Sequence, residues 1–346
     1  MKSRSRWNCH DEQYFGSTHA KVTRITTVKV QVANQDPYSN FFRFKKVLVI
    51  GLGQLGLPVA KYVKQSGFDT YGYDISPKAV KLAQETAAIE NATTNFNEFD
   101  VFILCVSTHK PDDIFSPQID GLLSIAERIS NEAKSGSLVS IESTVPKGTS
   151  KRVFEVLNHR MHVVHAPHRW YSLEENIHGV NQPRVIGGVC DCCLKAGLEF
   201  YGGNDSVSVN AQTYRSSSTP KNLGIPMHPV TNIEIAELTK VVENAHRYLQ
   251  IAFAEELYLY CQANNINFPE LRDALNTKWN VKILEPREGI GGHCLPKDTK
   301  MFLESSNRRK SKILTAAMEV DQDYRTHRAK LGLLPKYPGI MQFDGK

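Results

Sequence analysis

The run Gly289-Ile290-Gly291-Gly292-His293-Cys294-Leu295-Pro296-Lys297-Asp298 sets a cysteine between paired glycines and a proline. Gly291 and Gly292 carry no side chain, so a substrate can come close to the backbone there. Proline suits the first turn of a helix. Cys294 is therefore expected just outside a helix N-terminus, where the dipole favours thiolate over thiol. Asp298 then falls in the first helical turn, close to the sulfur. A thiolate so placed adds to a carbonyl carbon and holds the product covalently. On this segment alone, an inert buried cysteine in a glycine-rich turn explains the pattern equally well.

Three other segments carry groups that fit such a site. In Glu237-Leu238-Thr239-Lys240-Val241-Val242-Glu243-Asn244, Lys240 and Asn244 stand four apart and share one helix face. Ser143-Thr144-Val145-Pro146-Lys147-Gly148-Thr149 follows directly on a strand-like run. Gly51-Leu52-Gly53-Gln54-Leu55-Gly56 matches G-x-G-x-x-G and sits between a buried-strand pattern and a helix, the context that gives this motif meaning. Gly51 permits the tight turn, Gly53 admits a pyrophosphate, and Gly56 lets helix and strand pack closely. The N–H groups at the helix start, from Gln54 and Leu55 onward, face the phosphates. Asp74 ends the next strand-like run, where a carboxylate accepts from ribose hydroxyls and repels a 2′-phosphate, which favours NAD over NADP. Ser107, Thr108 and Thr144 complete the expected cofactor contacts.

Strand and helix patterns alternate from Lys46 onward. Val47–Ile50, Thr70–Asp74, Val101–Val106 and Ser137–Glu142 read as strands; Pro77–Glu90, Ile119–Lys134 and 149–159 read as helices. Val163-Val164 and Arg184–Ile186 are strand-like. The class is α/β: a Rossmann-like domain with a mostly parallel sheet, followed by a helical domain. The stretch Gly202–Pro220, rich in Gly, Ser, Asn and Thr, marks the boundary, giving a nucleotide domain over 46–218 and a helical domain for dimerisation and catalysis over 219–346. Residues 232–264 form one helix without internal Gly or Pro, roughly 50 Å long. A helix of that length suggests a partner subunit, so a homodimer or an assembly of dimers is expected.

Residues 1–45 show no strong pattern beyond the strand-like Val28–Val32 and are read as a disordered extension. The net charge of +6 resides there: the first 46 residues hold nine Lys/Arg against three Asp/Glu, and the remainder balances. A neutral body argues against nucleic acid as partner. No apolar run is long enough to span a bilayer, and no secretory leader is visible, so no membrane partner is expected and the location is read as cytoplasmic. Seven irregularly spaced cysteines fit a reducing compartment better than a disulfide framework. Cys190, Cys192 and Cys193 lack a second matched pair. His162, His165 and His168 read as a strand leading into a substrate loop. No metal is expected.

Taken in order, the nucleotide motif and the three other segments resemble the UDP-glucose/GDP-mannose dehydrogenase family over about residues 46 to 325. The wording Gly-Gly-His-Cys-Leu-Pro, with Arg184-Val185-Ile186-Gly187-Gly188 and Asn244 through Glu256, looks most like the UDP-N-acetylglucosamine/mannosamine 6-dehydrogenase branch. The resemblance implies an NAD-dependent, two-step oxidation of the C6 alcohol of a nucleotide sugar, with the aldehyde captured by Cys294 as a thiohemiacetal. Lys240 would stabilise the oxyanion, Asn244 would hold the sugar or that oxyanion, Asp298 would tune Cys294 and Lys240 or handle a proton, and Thr144 would position a water or the nicotinamide. Arg169, Arg247, Gly291 and Gly292 would contact substrate.

Two features depart from the family pattern. Pro167-His168-Arg169 stands where Pro-Glu is usual, so His168, or else Glu174 or Glu175, would supply the base. Only about twenty residues follow Arg325-Thr326-His327-Arg328, too few for the third, UDP-binding domain, which is read as absent. Two other functions compete. A β-hydroxyacid dehydrogenase would share the nucleotide domain, the long helix and the Lys-x-x-x-Asn pair without needing Cys294. A catalytically weak NAD-binding subunit, regulating or scaffolding a partner, would explain the departures.

Overall fold

The computed structural model describes residues 44–110, 112–113, 116–170, 179–202, 222–292, 294–305 and 311–333. The extension read over 1–45 falls almost wholly outside the described residues, as do Glu174, Glu175 and His293.

Short apolar runs form the strands, as expected of a sheet covered on both faces. The strands are β1 (Lys46–Ile50), β2 (Asp69–Tyr73), β3 (Asn91–Ala92), β4 (Val101–Leu104), β5 (Leu138–Ile141), β6 (His162–His165), β7 (Arg184–Gly188) and β8 (Met227–Val230). They lie in the order β3-β2-β1-β4-β5-β6-β7-β8. All neighbours are parallel except β6 and β7. Val47, Leu48, Val49, Phe102, Ile103 and Leu104 are fully buried, each such side chain contributing about 1.5–3 kcal/mol relative to exposure. Helices α1 (Gly56–Gln65), α2 (Pro77–Glu85), α3 (Asp120–Glu132), α4 (Thr149–Val156) and α5 (Asp191–Tyr201) fill the connections. Ser76 starts α2 by accepting from the Ala79 N–H at 3.4 Å, with Pro77 in its first turn. The strand order reverses between β1 and β4. A crevice at the carboxyl ends of these strands is where sheets of this kind bind ligands.

Beyond the sheet, Asn232 caps α6 (Ile233–Ala263) by accepting from the Glu234 N–H at 3.0 Å. The 31-residue helix is followed by α7 (Phe268–Leu275), α8 (Cys294–Glu304) and α9 (Lys312–Lys330), and it packs on α8, α9 and β7. Tyr248, Ala252, Ile290, Ala317 and Met318 form a second, smaller core there.

Three details differ from the sequence reading. The sheet continues to Val230, past the boundary placed at 218–219, because β8 pairs with β7. Its Pro229 cannot donate to a ladder, but β8 is an edge strand, where proline is tolerated. Helix α7, capped by Asn267, was not anticipated. Finally, Cys294 is the first residue of α8 rather than the residue before it.

Candidate active site

At the crevice, Gly51 adopts φ +88°, and a Cβ there would lie 2.7 Å from the Cys105 carbonyl oxygen. A Cβ on Gly56, which opens α1, would lie 1.6 Å from the Gly51 oxygen. Gly53 is different: a Cβ there would meet nothing within 4 Å. Two glycines thus fold and pack the turn, and the third leaves bare backbone over open space. Gln54 beside it is exposed and Leu55 half-buried. Asp74, just past β2, accepts from the Leu52 N–H at 2.6 Å and the Ser76 N–H at 2.7 Å. These bonds fix its carboxylate beside the glycine turn. Ser107 is exposed, while Thr108 donates from Oγ1 to the Thr144 carbonyl at 2.7 Å, joining the loops after β4 and β5.

The Thr144 loop is also tied to α6. Glu237 is fully buried, and its two oxygens accept from the Gly148 N–H at 2.6 Å and the Ser150 N–H at 2.7 Å. A helix start presents N–H groups without intrahelical partners, and here a carboxylate from α6 takes two of those around α4. One turn further along α6 comes Lys240, and another turn on comes Asn244.

Asn244 donates from Nδ2 to Asp298 Oδ2, and Lys297 donates from Nζ to Asp298 Oδ1 at 2.6 Å. Asp298 and Lys297 are buried, whereas Cys294 is exposed. The thiol titrates above its ordinary value. Although the residue as a whole is exposed, its sulfur is crowded by neighbours; that desolvation is the main cause and the Asp298 charge the second, while the ammonium groups of Lys297 and Lys240 pull the other way. The depressed pKa expected from a helix N-terminus is therefore not what this neighbourhood produces. Gly291 and Gly292 are exposed, Gly292 at φ +72° with open space around it. The loop ahead of the thiol is anchored from α9: Asp321 Oδ1 accepts from the Ile290 N–H at 2.9 Å, and Arg325 donates to the Ile290 carbonyl. Arg325 also pairs with Asp321 at 3.0 Å.

His168 lies beside this site but is ill suited to the base role. It is buried in a network with Glu142, Arg184, Tyr201 and Ser140. Its Nδ1 accepts from the Trp170 N–H at 3.1 Å, and its Nε2 sits 2.9 Å from Arg184 Nη2 and 3.5 Å from Glu142 Oε2. Arg184 Nη1 pairs with Glu142 at 3.0 Å, and Tyr201 donates to Glu142 at 2.6 Å. Burial, followed by the positive charges of Arg184 and Lys240, holds the imidazole well below its usual range. An imidazole with both nitrogens engaged and a depressed pKa is a poor proton acceptor.

Arg169 is likewise committed, forking onto Glu243 and donating to the Pro183 carbonyl at 2.9 Å. Substrate contact through it requires opening this pair. Arg247 lies on the exposed side of α6, one turn past Glu243. His162, His165 and His168 do not converge. His165 is buried, with its pKa pushed down to about 3 by desolvation, and His162 lies at the far end of β6.

This geometry can be set beside known proteins. Residues 81–203 match the NAD binding domain of the UDP-glucose/GDP-mannose dehydrogenase family, and residues 234–323 match its central domain. The chain belongs to that family. Among curated relatives, it is 30% identical to the UDP-N-acetyl-D-mannosamine dehydrogenase of Methanococcus maripaludis, over 82% of this chain and 66% of that one. It is 29% identical to the Campylobacter jejuni protein of the same name, over 81% and 72%. The UDP-D-ManNAc dehydrogenase structure from Pyrococcus horikoshii aligns with TM-score 0.67 and 27% identity over 83% of this chain and 70% of that one. This chain thus spans about two-thirds of the length of the relatives it matches.

As in other members of the UDP-glucose/GDP-mannose dehydrogenase family, the cofactor is NAD. The NAD binding domain of D-isomer specific 2-hydroxyacid dehydrogenases also matches residues 18–116, which contain the glycine turn. The turn fits the group: open space over Gly53 for phosphates and a fixed carboxylate at Asp74 for a ribose. Sequence reasoning missed Glu237, the Glu142 network and the Asp321–Arg325 anchor. Glu237 lay inside a segment already singled out. The others have partners far away in sequence and carry no local pattern.

Proposed function

We propose that this chain oxidises the C6 primary alcohol of a nucleotide-linked sugar, a UDP-N-acetylhexosamine, to the carboxylic acid. The observation that carries this reading is Asn244 of α6 bonded to Asp298, one turn after the exposed Cys294, with the Lys240 ammonium of the same helix face close enough to act on the thiol. NAD, when bound, takes up two electrons and a hydrogen at each of two oxidations. Between them the Cys294 sulfur adds to the C6 aldehyde, giving a thiohemiacetal. Oxidation turns that adduct into a thioester, and water then cleaves the C–S bond, releasing acid and thiol. Lys240 faces the oxygen that becomes negative at addition and hydrolysis, where a fixed cation acts strongly. Asn244 steadies Asp298 and the same oxygen. Asp298, held from both sides, orients Lys297 and the thiol. Thr144, in a loop pinned by Glu237, borders the nicotinamide end of the crevice.

The active unit in this reading is a homodimer built on α6, working in the reducing cytoplasm. Ile235, Val242, Phe253 and Tyr260 are 45%, 41%, 56% and 57% exposed, and their spacings of seven, eleven and seven put them on one side of the helix. An apolar stripe of this kind calls for a cover.

The test is NADH formation with a panel of UDP-N-acetylhexosamines, UDP-glucose and small β-hydroxyacids. Two NADH per acid from a UDP-N-acetylhexosamine is the expected result. One NADH per turnover with a hydroxyacid, or NAD binding without turnover on any of them, overturns the proposal.

A further inference from the structure

The amino end of β6 and the start of α5 hold a second cluster of reactive side chains, at the opposite end of the sheet from the glycine turn and Cys294. β7 runs antiparallel to β6, with Val164 opposite Gly188 and His165 opposite Gly187. The chain leaving β7 therefore arrives beside His162, the first residue of β6. There it turns into α5, with Cys190 as the N-cap residue and Cys192 and Cys193 in the first turn. Cys190 Sγ lies 3.0 Å from Cys192 Sγ and 3.1 Å from Cys193 Sγ. One ring nitrogen of His162 and the sulfurs of Cys192 and Cys193 all fall within 4.8 Å of one another. The local sequence lacks a second cysteine pair, which is why spacing alone argues against a metal. The fold supplies the missing donor from a strand nearly thirty residues upstream.

We propose that Cys190, Cys192, Cys193 and His162 bind one zinc ion. Three thiolates and an imidazole are a donor set that structural zinc sites use, with Zn–S near 2.3 Å and tetrahedral angles, so that sulfurs sit about 3.8 Å apart. The His162 nitrogen lies within 4.8 Å of Cys192 and Cys193 Sγ, and Cys190 Sγ stands 3.0 and 3.1 Å from the other two sulfurs, closer than that value. Side-chain rotation suffices to reach it. Charge also favours the site. Three thiolates, a neutral imidazole and Zn²⁺ sum to a net charge of −1, and this sits at the positive end of α5, where the Cys190 side chain does not cap the helix N–H groups. The cluster ties β6, β7 and α5 together where β7 runs antiparallel to β6. Its role is structural, apart from the chemistry at the other end.

Metal analysis of the purified, untagged full chain under reducing conditions, after zinc reconstitution and desalting, tests the proposal. One zinc per chain is expected. Cobalt(II) in its place is expected to give sulfur-to-cobalt charge transfer and the intense visible bands of a tetrahedral site. Cys192→Ser and His162→Ala, both at partly exposed positions, should each weaken zinc roughly tenfold or more, whereas Cys294→Ser should retain it. Chelation should lower the thermal midpoint of the wild type and leave NAD binding at the far end intact. Absence of stoichiometric zinc, zinc indifferent to Cys192→Ser and His162→Ala, or a Cys190–Cys193 disulfide seen by mass in the reconstituted chain overturns it. The last result would identify the cluster as a redox pair.

Discussion

Glu255 offers a sharp test of the second core. It lies on α6, fully buried. Burial first, and the neighbouring Asp321 second, push its carboxyl up to about 9, against the pull of Arg325. Tyr248 and Tyr324 border the same group and are themselves raised, Tyr324 first by burial. In the unfolded chain Glu255 ionises near 4.5. The folded chain thus keeps a proton that the unfolded chain releases, and stability falls as pH climbs from about 4.5 to about 9. One pH unit is worth about 1.4 kcal/mol, so by pH 7 the loss is on the order of 3 kcal/mol. Glu255→Gln keeps the shape and a donor toward Asp321 but never ionises. Urea unfolding of both proteins, followed by circular dichroism, should give similar midpoints near pH 5 and a clear advantage for the variant at pH 7 and above. Parallel pH profiles for the two proteins, or a variant less stable at every pH, would refute the reasoning.

The remaining predictions concern the site and its supports. Cys294→Ser should abolish acid formation while leaving NAD affinity within about twofold, since the nucleotide turn is built from other elements; isothermal titration and product analysis check both. Because the Cys294 thiol is raised, acid formation should climb as pH rises above neutral, and a flat profile would count against thiolate attack. Asp74→Ser should narrow the preference for NAD over NADP by roughly tenfold or more in kcat/KM, and an unchanged ratio would remove Asp74 from cofactor choice. Phe253→Asp, on the exposed stripe of α6, should shift the chain toward monomer in light scattering, and an unaltered mass would place the interface elsewhere.

Much of this arrangement was legible in the residues. Gly51, Gly53 and Gly56 announced the turn because each has a backbone reason to lack a side chain. Helix α6 was legible because thirty-one residues without Gly or Pro leave few alternatives. The motif around Cys294 gave the loop and the helix after it, but not the sign of the thiol's shift. That sign depends on how crowded the sulfur is and on how near Asp298 comes, both properties of packing. His168 was read as a base because an imidazole stood where a carboxylate was expected. Its burial between Arg184 and Glu142 comes from β7 running back alongside β6, which no local pattern encodes. Strand β8 escaped notice for a related reason: its proline argues against a strand until the strand is known to be an edge.

The anchor of the Cys294 loop has a bearing on how the protein is made. Ile290 is held by Asp321 and Arg325, which lie on α9 and follow the cysteine in the chain. A ribosome delivers the nucleotide-binding sheet first, the thiol next, and the helix that fixes the thiol's loop only afterward. A nascent chain can therefore form its nucleotide turn while the Cys294 loop still lacks its anchor. On the proposed reading, the Cys294 loop is fixed only once α9 has docked, so cofactor binding would precede aldehyde capture as the chain is made.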